Sequence, residues 1–255
     1  MKLVCIPADP LLKWTIYGQP LFASFRFWLD DVCSFPIHLL DGTAYICGGV
    51  WKSFLTDTIP NDIDIFFPSE IARDNFARRL ELTHVAQLKT KNAQYYIVAS
   101  MIGQTKPIMR TTAHGTIVTS GLTKDGKIII PIHLIHRMYG TLEDVLKTFD
   151  FTISMFGTDM ENLFVPGTFY DQMIRRSAPR GNTSEISKDA FRWAFGRYHI
   201  NGSVGIQSLY RMLKFYRDGY VLNKPDILSL VERAGIDVIL AKEAGIPLYF
   251  PWESC

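Results

Sequence analysis

Three observations predict an α+β fold. Short runs rich in Ile, Val, Tyr and Thr fill the first two thirds of the chain, helical periodicity takes over near residue 170, and one segment reads as strand, Gly-Gly, helix, turn and Asp-x-Asp in that order. The expected architecture is a mixed β-sheet flanked by helices, followed by a small helical C-terminal part. Residues 1–168 form the expected head, with an N-terminal extension over about 1–40, and residues 169–255 form the helical part.

The strands come first. TAYICGG, DIDIFF, AQYYIVAS, GTIVTSGL and KIIIPIHLI carry the β-branched and aromatic residues that suit a pleated surface, and Gly and Pro punctuate them. After residue 170, SEISKDAFRWAFGRYHI has a cap signal at Thr183 or Ser184 and places Ile186, Ala190, Trp193 and Ala194 at helical intervals. IQSLYRMLKFYRDGY reads as a second helix, and PDILSLVERAG as a third that ends at Gly235.

Composition excludes several classes of function. With 27 Lys+Arg against 25 Asp+Glu, a net charge of +2 is no polycation, so an anionic partner needs a local site. Residues 171–220 hold nine basic residues against four acidic ones, a net +5 that suits a phosphate-rich ligand. Cys5, Cys33, Cys47 and Cys255 lie far apart without a Cys-x-x-Cys pair, so neither a zinc ribbon nor a disulfide framework is expected. The apolar start of MKLVCIPADP is short for a signal peptide, and no run reaches the roughly 18 apolar residues of a membrane span. The expectation is a cytoplasmic protein of a bacterial or phage-infected cell, with no membrane partner.

The segment ICGGVWKSFLTDTIPNDIDIF concentrates the chemistry. Gly48 and Gly49 end a strand and open a helix, so the backbone can approach a phosphate chain without a Cβ in the way, and the helix N-terminus offers N–H donors. Lys52 follows one turn into the helix as a point charge for phosphates. Asp62 and Asp64 stand two apart on the next strand, which places both carboxylates on one face, with Ile63 and Ile65 on the other. Two carboxylates held this close repel each other, and a pair of Mg²⁺ (or Mn²⁺) ions would make the arrangement favourable.

At these residues the sequence resembles the polymerase-β-like nucleotidyltransferase superfamily, and within it the head domain of CCA-adding enzymes and poly(A) polymerases. Gly48, Gly49, Lys52, Asp62 and Asp64 meet that pattern; the family's usual arginine is Lys52 here, and its aspartate at the next position is Ser53. LKTFDFTISMFG is similar to the family's RRDFTINA segment: Asp150, Phe151, Thr152 and Ile153 match, while Thr148 and Phe149 replace the basic pair. SLYRMLKFYRDGY is similar to a helix of phage and viral nucleotidyltransferase-like proteins and puts Arg211, Lys214 and Asp218 on one face.

The resemblance implies a metal-dependent enzyme that moves a nucleoside monophosphate from ATP or another triphosphate to an acceptor hydroxyl and releases pyrophosphate. Asp62 and Asp64 would be metal ligands, and Gly48, Gly49, Lys52, Arg211 and Lys214 would bind the nucleotide. The family's third carboxylate has no counterpart in the middle of KIIIPIHLIHR, where His133 stands, so either Asp150 supplies the third ligand, the preferred expectation, or His133 does. An RNA 3′ end, tRNA-like, is the preferred acceptor. A protein or small-molecule acceptor is the first alternative, and an inactive nucleotide- or RNA-binding module the second. His133 and His136, three residues apart across a strand end, read as a strand and a loop residue with ordinary hydrogen bonds rather than as a zinc site, and His84, His114 and His199 have no partner at metal-ligand spacing and read as structural.

Overall fold

The computed structural model describes residues 2–7, 14–16, 18–33, 35, 37–40, 42–85, 109–112, 115–118, 130, 132–180, 183–185, 195, 197–201 and 204–243. Its centre is an eight-stranded mixed sheet flanked by helices, as the sequence predicts. In chain order the strands of this sheet are β1 (Leu3–Pro7), β4 (Tyr45–Cys47), β5 (Ile63–Phe67), β6 (Met109–Thr112), β7 (Gly115–Val118), β8 (Ile132–Tyr139), β9 (Gly157–Thr158) and β10 (Asn162–Pro166), and they lie side by side as β1-β10-β9-β4-β5-β8-β7-β6. Neighbouring strands run antiparallel except β5 and β8, which are parallel. A second sheet orders β11 (Ala178–Arg180), β12 (Thr183–Glu185), β2 (Trp14–Ile16) and β3 (Gln19–Pro20), and β13 (Arg197–Tyr198) pairs with β14 (Val221–Leu222).

Among the described residues seven α-helices accompany the sheets: α1 (Leu21–Asp31), α2 (Gly49–Thr56), α3 (Glu70–Val85), α4 (Leu142–Lys147), α5 (Gly167–Arg176), α6 (Ile206–Arg217) and α7 (Lys224–Glu243). The period-two alternation of β4 and β5 sorts their side chains between two apolar layers. Ile46, Ile63, Ile65 and Phe67 enter the main core with α1 and α2, while Tyr45, Cys47 and Phe66 pack with Leu142, Val145 and Leu146 of α4 on the opposite face. Asp64 belongs to that second face. The capping box of Thr141 and Asp144 starts α4.

The helical half is joined to the sheet through aromatic rings. Phe156 meets Phe169 at 4.6 Å and Phe195 at 5.2 Å, and Phe151 meets Tyr198 at 5.3 Å and Phe215 at 5.9 Å between centroids. These edge-on and tilted contacts favour the ring quadrupoles as well as burying area. The described part of the first forty residues belongs to the same core: β1 pairs with β10, and Phe25 and Leu29 of α1 are fully buried.

The structure corrects two sequence expectations. The helix expected over SEISKDAFRWAFGRYHI is replaced at both ends by strand: β12 pairs with β11 and, in parallel, with β2, and β13 pairs with β14. Pairing with distant strands sets these two ends; Phe195 is helical, and residues 186–194 and 196 lie outside the described residues, as do AQYYIVAS and parts of GTIVTSGL and KIIIP. The third helix does not stop at Gly235 but runs to Glu243. A Cβ at Gly235 would meet nothing within 4 Å, so this glycine sits on the outer face, where it costs the helix only about 1 kcal/mol. Among the described residues, no helix is long and apolar enough to cross a membrane.

Close approach at β9 leaves little room for a side chain at one glycine. A Cβ on Gly157 would lie 2.7 Å from Cδ1 of Leu142 and 2.9 Å from Sγ of Cys47. Gly157→Ala is therefore expected to lower unfolding free energy by roughly 1–3 kcal/mol, measured by urea denaturation; an unchanged midpoint and slope would show that the β4, β9 and α4 layer has slack.

Candidate metal and nucleotide cleft

The cleft is built by strand register. β4 runs antiparallel to β5, so the end of β4 brings Gly48 and Gly49 to the start of β5, where Cys47 faces Asp64. β8 runs parallel to β5 with Asp64 opposite His133. Asp62, just before β5, completes a group in which one ligand atom from each of Asp62, Asp64 and His133 lies within 4.8 Å of the others. Nδ1 of His133 is 3.2 Å from Oδ1 of Asp64 and 3.7 Å from Oδ2 of Asp62.

The electrostatics are those of a crowded acidic site. Burial and then the neighbouring charge of Asp64 raise the Asp62 pKa, with His133 and Lys214 pulling it back in part. Burial pulls the His133 pKa down, but the hydrogen bond and charge of Asp64, joined by the charge of Asp62, more than reverse this and leave it raised. A divalent cation would relieve the repulsion. Two carboxylates and an imidazole suit such an ion, and the nitrogen donor suits Mn²⁺ better than Mg²⁺.

Gly48 bends the chain into α2 with a φ of 86°, and its N–H donates to the carbonyl of Phe156 at 2.8 Å. This left-handed φ is open to glycine without strain. A Cβ there would also stand 3.5 Å from both Oδ2 of Asp64 and the Phe149 ring, so the α2 N-terminus lies directly beside the acidic group. The cleft encloses about 620 Å³, within the usual range for a small-molecule site.

One side of α6 closes the opposite wall with Arg211, Lys214 and Phe215, and Asp218 follows at its C-terminal cap. Lys52 reaches across from α2 to Asp218, Nζ to Oδ2 3.3 Å, and lies over the rings of Tyr220 at 5.0 Å and Phe215 at 5.4 Å. Burial lowers the Lys52 pKa; the Asp218 charge and hydrogen bond oppose that, and Lys214 adds to it. Four of the cleft's cations, Lys52, Arg211, Lys214 and Arg217, therefore face Asp62, Asp64 and Asp218 across one space.

The structure thus brings Gly48, Gly49, Lys52, Asp62, Asp64, Arg211 and Lys214 to one cleft. Asp150 is set apart. It is 5% exposed, is not among the residues that line the cleft, and accepts from Nη1 of Arg211 at 3.1 Å. His133 holds the third place beside the aspartates, for which Asp150 is the preferred sequence expectation. The spacing of His133 and His136 hides this role, because it is the parallel β5 to β8 register that aligns His133 with Asp64. His199 bonds Asn223 at 3.0 Å and lies 3.5 Å from Asp226. Arg175 and Arg176 end α5 on the surface, and the side chains of His84, His114, Arg180, Lys188 and Arg192 lie outside the described residues. Phe149 and Tyr220 are cleft residues that sequence reasoning missed; Phe149 could have been found as the aromatic that stands in place of a basic residue.

A family model described as Gabija anti-defense 2 family protein matches residues 20–176. Among solved structures, a Thermotoga maritima CCA-adding enzyme complexed with tRNA matches at 14% identity over 92% of this chain and 46% of its own, with a TM-score of 0.45. A CCA-adding enzyme in complex with CTP matches at 13% identity over 95% and 49%, with a TM-score of 0.46. A tRNA-processing enzyme complex matches at 17% identity over 80% and 45%, with a TM-score of 0.41. The chain spans about half the length of these structures. No curated protein matches it.

Proposed function

The chain belongs to the Gabija anti-defense 2 family, and with that as premise we propose that its cleft transfers a nucleoside monophosphate from a nucleoside triphosphate to an acceptor hydroxyl, releasing pyrophosphate. One observation carries the reading: Asp62, Asp64 and His133 converge beside the glycine-opened N-terminus of α2. Those three residues would hold a divalent ion, whose chemistry is to lower the pKa of a hydroxyl and to neutralise charge on leaving pyrophosphate. The amides at the α2 N-terminus would receive phosphate oxygens, and Lys52, Arg211 and Lys214 would supply fixed positive charge where negative charge develops. No covalent nucleophile is required, because positioning and electrostatics suffice for phosphoryl chemistry.

The acceptor we favour is an RNA 3′ end, because basic residues of α6 wall the cleft. The family's description supports a second reading, in which the acceptor is a component of the Gabija defence. Incubation with each α-labelled triphosphate, Mn²⁺ or Mg²⁺, total RNA and a lysate containing that defence separates the two. Label in RNA supports the first and label in a defence component the second; no label dependent on Asp62 and Asp64 would sink both.

The donor set adds a prediction. Transfer is expected to run faster with Mn²⁺ than with Mg²⁺, and His133→Asp, which replaces the imidazole with a carboxylate, is expected to shift that preference toward Mg²⁺. Initial rates in each metal test this, and an unaltered rate ratio in the variant would remove His133 from the ligand set.

A further inference from the structure

We infer that Asp150 is a positioning residue that aims the Arg211 guanidinium into the cleft, and that it does not bind the metal. The inference rests on the nucleotidyl-transfer reading of that cleft.

The Asp150 side chain is 6% exposed, so its charge demands a partner that stays in place. Arg211 provides one through Nη1 at 3.1 Å while its own side chain remains 54% exposed and lines the cleft. A guanidinium has five N–H donors in a rigid plane, so a bond on one edge fixes the direction of the others. Withdrawing Arg211 toward solvent would leave a buried, unpaired carboxylate, and this penalty pins the arginine over the cleft.

The backbone that carries the carboxylate is held from behind. The Asp150 carbonyl accepts the Asn201 N–H at 2.7 Å, and Nδ2 of Asn201 donates to the carbonyls of Phe149 at 2.9 Å and Lys147 at 3.0 Å. Thr152 N–H donates to the His199 carbonyl at 3.0 Å, and Phe151 bridges Ile200. Residues 147–152 are therefore fastened to 199–201 independently of Arg211.

The other carboxylate oxygen, Oδ2, is buried without a hydrogen-bond partner among the described residues, as is the Tyr198 hydroxyl. Burial, followed by the charge of Asp150, pushes the Tyr198 phenol up. The chain thus turns the family-matching aspartate into an anchor for α6. This also accounts for the aromatic at Phe149: the cation that a basic residue would contribute there comes instead from α6.

The test compares wild type with Asp150→Asn, Asp150→Ala, Arg211→Ala and the double variant Asp150→Ala/Arg211→Ala. KM and kcat are measured for each of the four ribonucleoside triphosphates, together with the half-saturating Mn²⁺ concentration. Asp150→Ala and Arg211→Ala are each expected to raise KM about tenfold, and the double variant no further. The half-saturating Mn²⁺ concentration should not move in any of these variants. Asp150→Asn, whose amide oxygen still accepts from Arg211, should lie between wild type and Arg211→Ala. A collapse of kcat with an altered metal requirement, additive losses in the double variant, or an unchanged KM would each overturn the inference. If Asp150→Ala fails to fold, Asp150→Asn against Arg211→Ala decides it: an inactive asparagine variant contradicts the positioning role. Wild type that neither binds nor turns over any triphosphate brings down the functional reading as well, whereas normal wild-type kinetics with unaffected variants bring down this inference alone.

Discussion

Asp64→Asn is expected to reduce nucleotidyl transfer on the order of a thousandfold or more while the protein stays folded. Asp64 is the hinge of the acidic group: it bonds His133 at 3.2 Å and its Oδ2 lies beside the α2 N-terminus. Asparagine keeps the shape but removes the charge that a cation needs. The same charge raises the Asp62 pKa, second only to burial, so its removal relieves repulsion in the metal-free protein. The melting temperature without metal should therefore be unchanged or slightly higher, with the rate abolished. A variant that unfolds instead would mean that Asp64 serves the sheet, and the site assignment would fail.

Trp51→Ala is expected to destabilise the protein by about 3–5 kcal/mol. Trp51 lies within the motif helix α2 yet is fully buried, stacked on Phe25 with centroids 3.7 Å apart and set edge-on to Phe54 at 6.1 Å. It fixes the helix whose N-terminus is the proposed phosphate wall, so the loss should appear both in urea denaturation and in triphosphate affinity. Its indole N–H is buried without a hydrogen-bond partner among the described residues. Trp51→Phe therefore loses no bond and should cost far less than Trp51→Ala. Equal losses for the two variants would contradict this account of the packing.

The cleft was legible in the sequence where its parts are local. Gly48, Gly49, Lys52, Asp62 and Asp64 lie within one stretch whose order follows from strand and helix periodicity, and Arg211, Lys214 and Asp218 share a face at helical spacing. The third member of the acidic group was not legible in this way. His133 reaches Asp64 only because β8 joins β5 in parallel, sixty-nine residues away in the chain, and no local period encodes that register. The neighbours of Asp150 match a family segment, while its carboxylate is buried and accepts from an arginine of α6, a partner that no local pattern encodes. Likewise, β12 and β13 follow from pairing with β2 and β14, partners that a helical period within SEISKDAFRWAFGRYHI cannot reveal.

The central claim is that Asp62, Asp64 and His133 form a cation site beside a triphosphate wall at Gly48 and Gly49. A crystal structure of the protein with Mn²⁺ and a non-hydrolysable nucleoside triphosphate, phased to show manganese by anomalous scattering, measures this directly. The expected result is a manganese peak within coordination distance of all three side chains, with triphosphate oxygens on the α2 amides. Manganese bound elsewhere, or a triphosphate lying away from Gly48 and Gly49, would contradict it.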